Sequence, residues 1–207
     1  MIGPAGTLGA FIKIVSPFPT RKAVFDIGVA GPIAGFVALI PVAIIAVVTT
    51  KTAPPITPAP NELQIIFSDG LFYKLLAYLG GLDLSQPIFA NPFYIATWLG
   101  LLVTALNLIP SGQLDGGHAL YAVFGEKVHK WTGIIAFVLM TILSILGLYF
   151  YSSPSGILFA VILAVMMRVK HPEPYDKSPL DLKRKIIAFI TLIIFVVSFV
   201  PFPIQLQ

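Results

Sequence analysis

Asn107-Leu108-Ile109-Pro110-Ser111-Gly112-Gln113-Leu114-Asp115-Gly116-Gly117-His118 is the stretch on which the reading of the chain turns. It closes a run without charge, Pro87 to Leu114, and then presents an acid, two glycines and a histidine. A bare carboxylate in hydrocarbon has to be paired, protonated or bound to a cation. Pro110 ends a helix, because it has no N–H to donate and its ring crowds the preceding turn. Gly112, Gly116 and Gly117 admit positive φ or the close approach of another segment. Irregular backbone at membrane depth persists only where protein or a wet cavity satisfies it. The stretch therefore predicts a polar site where a membrane helix breaks. A plainer reading of Asp115 also stands: the N-cap of a helix that starts at Gly116.

Working outward, the composition agrees with a membrane setting. Of 207 residues, 57% are hydrophobic and 11% charged, and the mean hydropathy is +0.93. That excludes an ordinary soluble domain and predicts one all-α polytopic membrane domain over residues 1–207. Cysteine is absent, which rules out disulfides and Cys-based metal sites. The net charge of +4 does not point to nucleic acid, because the basic residues sit in short loops between apolar runs. No cleavable signal peptide is expected, since Met1 is followed by a short mixed run.

Five apolar runs read as helices: 24–48, 93–124, 131–151, 156–169 and 186–203. The first is small-sided at Gly28, Ala30, Gly31, Ala34 and Gly35, which suits close helix packing. Asp26 near its start reads as an acid at a helix N-terminus. The second run is broken inside the bilayer, and the fourth is short for a crossing. Trp131 and Tyr149-Phe150-Tyr151 bracket the third as interfacial anchors. Residues 51–90 read as an extracytoplasmic loop. Within it a short helix over Leu71–Leu79 is expected, capped by Asp69 and ended by Gly80-Gly81. Residues 168–185 form a charged loop. His129 and His171 read as solvated. Residues 1–20 are β-prone around Leu8, Phe11, Ile12 and Ile14, and predict a small membrane-associated hairpin or strand.

With Arg21 and Lys22 inside, the basic residues divide lopsidedly, and only Lys51 and Lys74 fall outside. The positive-inside rule then gives five crossings, an outside C-terminus and Asp115 toward the cytoplasm. A prokaryotic plasma membrane is the expected location, with the lipid bilayer as a partner. Nothing in the sequence sets an oligomeric state.

Asn-x-x-Pro followed by Leu-Asp-Gly-Gly, with Asp115 eight residues after Asn107, resembles the second signature of the site-2 proteases. These are intramembrane zinc metalloproteases. The run from Trp98 to His118 is similar to archaeal and bacterial members. Phe25 to Gly35 resembles their Gly-Pro helix, and Met167 to Pro174 their tail. The resemblance implies Zn2+ as cofactor, Asp115 as a zinc ligand and Asn107 as a polar partner of the substrate carbonyl. Pro110, Gly116 and Gly117 would shape the backbone. His118 would support the site or the helix packing. Substrates would be transmembrane segments of other proteins, taken by strand addition along Leu8, Phe11, Ile12 and Ile14. One departure is large. The family's first signature, a His-Glu-x-x-His helix with two zinc ligands and a general base, is missing from the 207 residues. The expectation is either a piece lacking that helix or a degenerate relative. The alternatives in function are a non-catalytic membrane scaffold or, more weakly, an ion or proton transporter using Asp115.

Overall fold

A computed structural model describes residues 18–54, 64–168 and 174–206. Over these the chain forms seven helices and two short strands: α1 (Arg21–Thr49), β1 (Ile65–Phe67), α2 (Leu71–Leu79), α3 (Pro92–Leu108), α4 (Asp115–Phe124), α5 (Glu126–Tyr151), α6 (Ser155–Met167), α7 (Leu182–Ser198) and β2 (Ile204–Leu206). Among the described residues, α1 and α5 are long and apolar enough to cross a membrane.

The axis of the bundle is α1. The Thr20 hydroxyl caps its start by accepting from the Ala23 amide at 3.0 Å. Pro32 and Pro41 lie inside it. Each removes a helical hydrogen bond, a loss that apolar helices tolerate when neighbours pack around the site. At 29 residues, α1 is roughly 43 Å long.

The other elements are ordered by which end of α1 they meet. At its start, Arg21 donates to the Ala122 and Val123 carbonyls at 2.6 and 3.1 Å, so α4 ends there. The Arg21 amide donates to Asp176 O. At its far end, Asn91 donates to the Thr49 and Thr50 hydroxyls, so α3 begins there. Hence α3 and α4 run successively against α1, interrupted at 109–114. Other than Lys51, Lys74 and Arg168, the described basic residues all lie at the start of α1, at the start of α5, on the loop 174–181 or at the start of α7. These elements meet the start of α1 through Gly125, Asp176 and Arg184.

Several boundaries depart from the sequence expectation. The last helix runs over Leu182–Ser198, earlier at both ends than 186–203. Asp181 caps it by accepting from the Arg184 amide at 2.9 Å, so part of the expected charged loop is helical. That amide, ahead of the Arg184 guanidinium, holds the Asp181 carboxyl below the usual carboxylate range. Asp26 is not a simple helix-start acid: Arg184 grips both its oxygens, at 2.8 and 2.6 Å, and so ties α7 to α1. Gly125, at φ +86°, lets α5 start at Glu126, before the expected Trp131.

Asp69 does not cap α2. The cap position is Gly70, without a side-chain bond, because Asp69 is drawn toward α3 and accepts from the Tyr94 hydroxyl at 2.9 Å. Burial pushes the Asp69 carboxyl up, against that hydrogen bond and nearby Lys74. Beside it β1 and β2 pair antiparallel, with Ile65 opposite Leu206, Ile66 opposite Gln205 and Phe67 opposite Ile204. Trp98 clamps this sheet by donating to Ser68 O at 2.9 Å. No strand was expected at either place. The expected strand residues Leu8, Phe11, Ile12 and Ile14, and His171, lie outside the described residues.

The outer faces are apolar. Along α5, Trp131, Ile135, Leu139, Ile142, Ile145 and Tyr149 are exposed. In water such a face would cost about 25 cal/mol per Å².

Candidate active site

The break between α3 and α4 is built from the 107–118 stretch. Leu108 ends α3, and Ile109 leaves the helix with ψ +129°, the extended backbone expected before a proline. Gly112 turns the chain at φ +55°. Two local bonds close the turn: the Ser111 amide donates to Ile109 O at 2.8 Å, and the Leu114 amide to Ser111 O at 3.2 Å. The Asp115 end of α4 then comes back onto the end of α3. A Cβ on Gly116 would collide with Leu108 O and stand 2.9 Å from Ile109 O. Only glycine allows that approach, which brings the Leu108–Ile109 end of α3 against Gly116 in the first turn of α4. Gly117 packs as closely on the Gly112 and Ser111 carbonyls.

Asp115 is not the cap of α4. Leu114 holds the cap position, no side chain bonds there, and Asp115 is the first helical residue. Its carboxylate is half-buried and, among the described residues, makes no hydrogen bond or ion pair. It faces the small side of α1: a Cβ on Gly31 would lie 3.9 Å from Asp115 Oδ2. One turn deeper, His118 is buried against Gly28, where a Cβ would meet His118 Cβ at 2.7 Å. Its ring is edge-on to Phe18 at 5.9 Å. Asn107 is half-buried at the end of α3, and its amide too makes no hydrogen bond among the described residues.

A catalytic zinc asks for three protein donors and an open position. Among the described residues no three of His, Cys, Asp or Glu gather to hold a metal. An acid without a polar partner suits a cation beside it, so Asp115 fits as one donor of a larger set, not as a complete site.

Two features of the site have no local signal in the sequence. His129 is not solvated: its Nε2 bonds to Gly112 O at 3.0 Å. An apolar cavity of about 610 Å³ opens beside Pro110 and Gly116, between α4 and α7, with Lys185 at its rim. Both depend on residues brought together from different helices.

Residues 4–148 match the sequence profile of Peptidase family M50. The chain is 30% identical over 204 residues to the probable zinc metalloprotease EGY1, chloroplastic, of Arabidopsis thaliana, covering 95% of this chain and 35% of that protein. Against its Oryza sativa subsp. japonica namesake the identity is 30% over 203 residues, with 95% and 34% covered. The DDT domain-containing protein PTM of Arabidopsis thaliana is 34% identical over 142 residues, 65% of this chain and 8% of that protein. The chain thus spans about a third of the length of the two metalloproteases. No solved structure matches. With the profile covering more than half of its length, including the helix break and Asp115, the chain belongs to peptidase family M50, the site-2 protease family.

Proposed function

We propose that the chain is the larger part of the membrane domain of an intramembrane zinc protease that cleaves transmembrane segments of other proteins. The observation that carries this reading is the Asp115 carboxylate: half-buried, without a polar partner among the described residues, at the helix break that follows Asn107 in sequence. In the complete protein Asp115 would be one zinc ligand, beside a His-Glu-x-x-His helix. Bound there, zinc would polarise the scissile carbonyl and acidify a water. Asn107 donates its amide hydrogen to the oxygen on which charge develops. Pro110 ends α3, and Gly116 and Gly117 let α4 pack closely on the end of α3 and on the turn. His118 locks α4 onto α1. Leu8, Phe11, Ile12 and Ile14 receive the unwound substrate as an added strand.

A second reading, a membrane scaffold without catalysis, is favoured by one observation. PTM, whose name carries no protease, is 34% identical to this chain over 142 residues. Metal content separates the two. With Asp115 as the one donor assigned among its described residues, the 207-residue chain is expected to bind zinc weakly. Joined to a His-Glu-x-x-His helix, it is expected to hold one equivalent by mass spectrometry. Stoichiometric zinc on the short chain means that other residues complete the site. No zinc on the completed protein favours the scaffold.

The reading also places the chain in a bilayer with five crossings: α1, α3 with α4, α5, α6 and α7. Asp115 lies toward the cytoplasm of a prokaryotic cell. Ten residues along α1, at Gly31, it would sit about 15 Å from the helix start. The chain has no cysteine, so single cysteines report cleanly. In intact bacterial cells, Lys177→Cys is expected to be protected from an impermeant maleimide and Ser85→Cys to be labelled; both positions are exposed. The reverse pattern inverts the topology.

A further inference from the structure

We propose that His129 is the positioning residue of the Asp115 site: its Nε2–H holds the Gly112 carbonyl and thereby sets the turn from which α4 presents Asp115. The consequence for metal binding rests on the reading of Asp115 as a zinc ligand; the effect on the turn does not. Gly112 O can only accept, so the bond at 3.0 Å assigns the proton to His129 Nε2. The same ring is edge-on to Tyr121 at 5.8 Å. One side chain of α5 therefore touches the backbone just before α4 and a side chain two turns into it.

The neighbouring contact is on the same face of α5. Gly133 follows His129 by four residues, one helical turn. A Cβ there would lie 3.4 Å from Ser111 Oγ. Ser111 is fully buried and its hydroxyl has no hydrogen-bond partner among the described residues. Gly133 thus makes room for the turn, and His129 supplies a side-chain hydrogen bond from α5 to its backbone. From α6, Met166 closes on Gly112, where a Cβ would meet Met166 O at 2.5 Å. On its other side α4 rests on Gly28, whose Cβ would stand 2.9 Å from Asp115 O. Between these walls a shift of the Gly112 carbonyl moves the first turn of α4, and Asp115 with it.

Three variants separate the donor from the ring. His129→Phe keeps an aromatic ring and removes the donor. His129→Gln places an amide N–H near the position of Nε2. His129→Asn carries the same amide on a stem too short to reach. Hydrogen exchange on the 207-residue chain in detergent is the first readout. His129→Phe and His129→Asn are expected to speed exchange at Leu114 to His118 about five- to tenfold, the effect of losing one hydrogen bond. His129→Gln should stay near the parent, and α1 should be unchanged in all three. Equal acceleration throughout the bundle, or none at 114–118, overturns the proposal. If His129→Phe does not fold, the contrast of Gln with Asn decides.

The second readout is zinc affinity by chelator competition in the protein completed with the His-Glu-x-x-His helix. Phe and Asn are expected to weaken it about 10- to 100-fold, as losses of supporting partners do, and Gln to restore it. Zinc lost by Asp115→Asn but kept by His129→Phe and His129→Asn overturns the positioning role and leaves the ligand reading standing. Gln as weak as Phe also overturns it, since a donor returned to the position of Nε2 would then not restore the site. Zinc kept by Asp115→Asn overturns the ligand reading, and the exchange pattern alone then decides whether His129 sets the turn.

Discussion

Asp115→Asn, made in a protein completed with the His-Glu-x-x-His helix, is expected to lose zinc and proteolysis together while keeping its fold. The substitution changes charge and hardly changes shape. A neutral amide binds zinc far less well than a carboxylate. The loss of affinity should exceed the roughly 100-fold that removal of a supporting partner costs. Stability should not fall, because among the described residues the carboxylate makes no hydrogen bond or ion pair that the amide would break. A half-buried carboxylate without a partner is costly, and an amide in its place costs less. The melting temperature of the zinc-free protein is therefore expected to hold or rise slightly. Metal content, melting temperature and turnover on one transmembrane substrate test this together. A variant that keeps its zinc and its activity removes the central claim about the site.

Asn107→Ala is expected to do the opposite with the metal. Zinc content should stay at the parent level, while turnover falls roughly 100- to 1,000-fold, the usual loss for one oxyanion donor. Asn107 lies in the last turn of α3, just before the break, and leaves its amide free of protein partners among the described residues. An amide capping the broken backbone near Pro110 would behave differently. Its removal would lower the melting temperature, and activity would follow only the folded fraction. Here the end of α3 is closed without Asn107, by the Ile109 amide donating to Leu106 O at 3.3 Å. The expected change in stability is accordingly small, within about 0.5 kcal/mol. A drop in melting temperature with unchanged turnover per folded molecule would return Asn107 to a structural role.

The helices and the break between them were legible in the residues. Apolar run length, the proline at 110 and the glycines at 112, 116 and 117 act on the backbone next to them, so their effect does not wait for the rest of the chain. The interruption of the second run, and the placement of Asp115 just after it, follow from that. The sequence resemblance reached further, to the family, because Asn107, Pro110, Asp115 and Gly116 keep a fixed spacing along one segment.

What the tertiary structure decided is how that segment is held. Whether Asp115 caps α4 or starts it depends on where the turn closes, and the turn is held from α5 by His129, 17 residues on from Gly112. Asp26 looked like a helix-end acid until α7 brought Arg184 to it from 158 residues away. The end of α4 is closed by Arg21, 101 residues earlier than Ala122. β1 and β2 are three residues each, too short for an alternating pattern, and exist because α3 and the chain end meet beside Trp98. In each case a polar group chose its partner after the apolar faces had packed. That packing is a property of the whole chain, whereas propensity and periodicity are properties of a few consecutive residues.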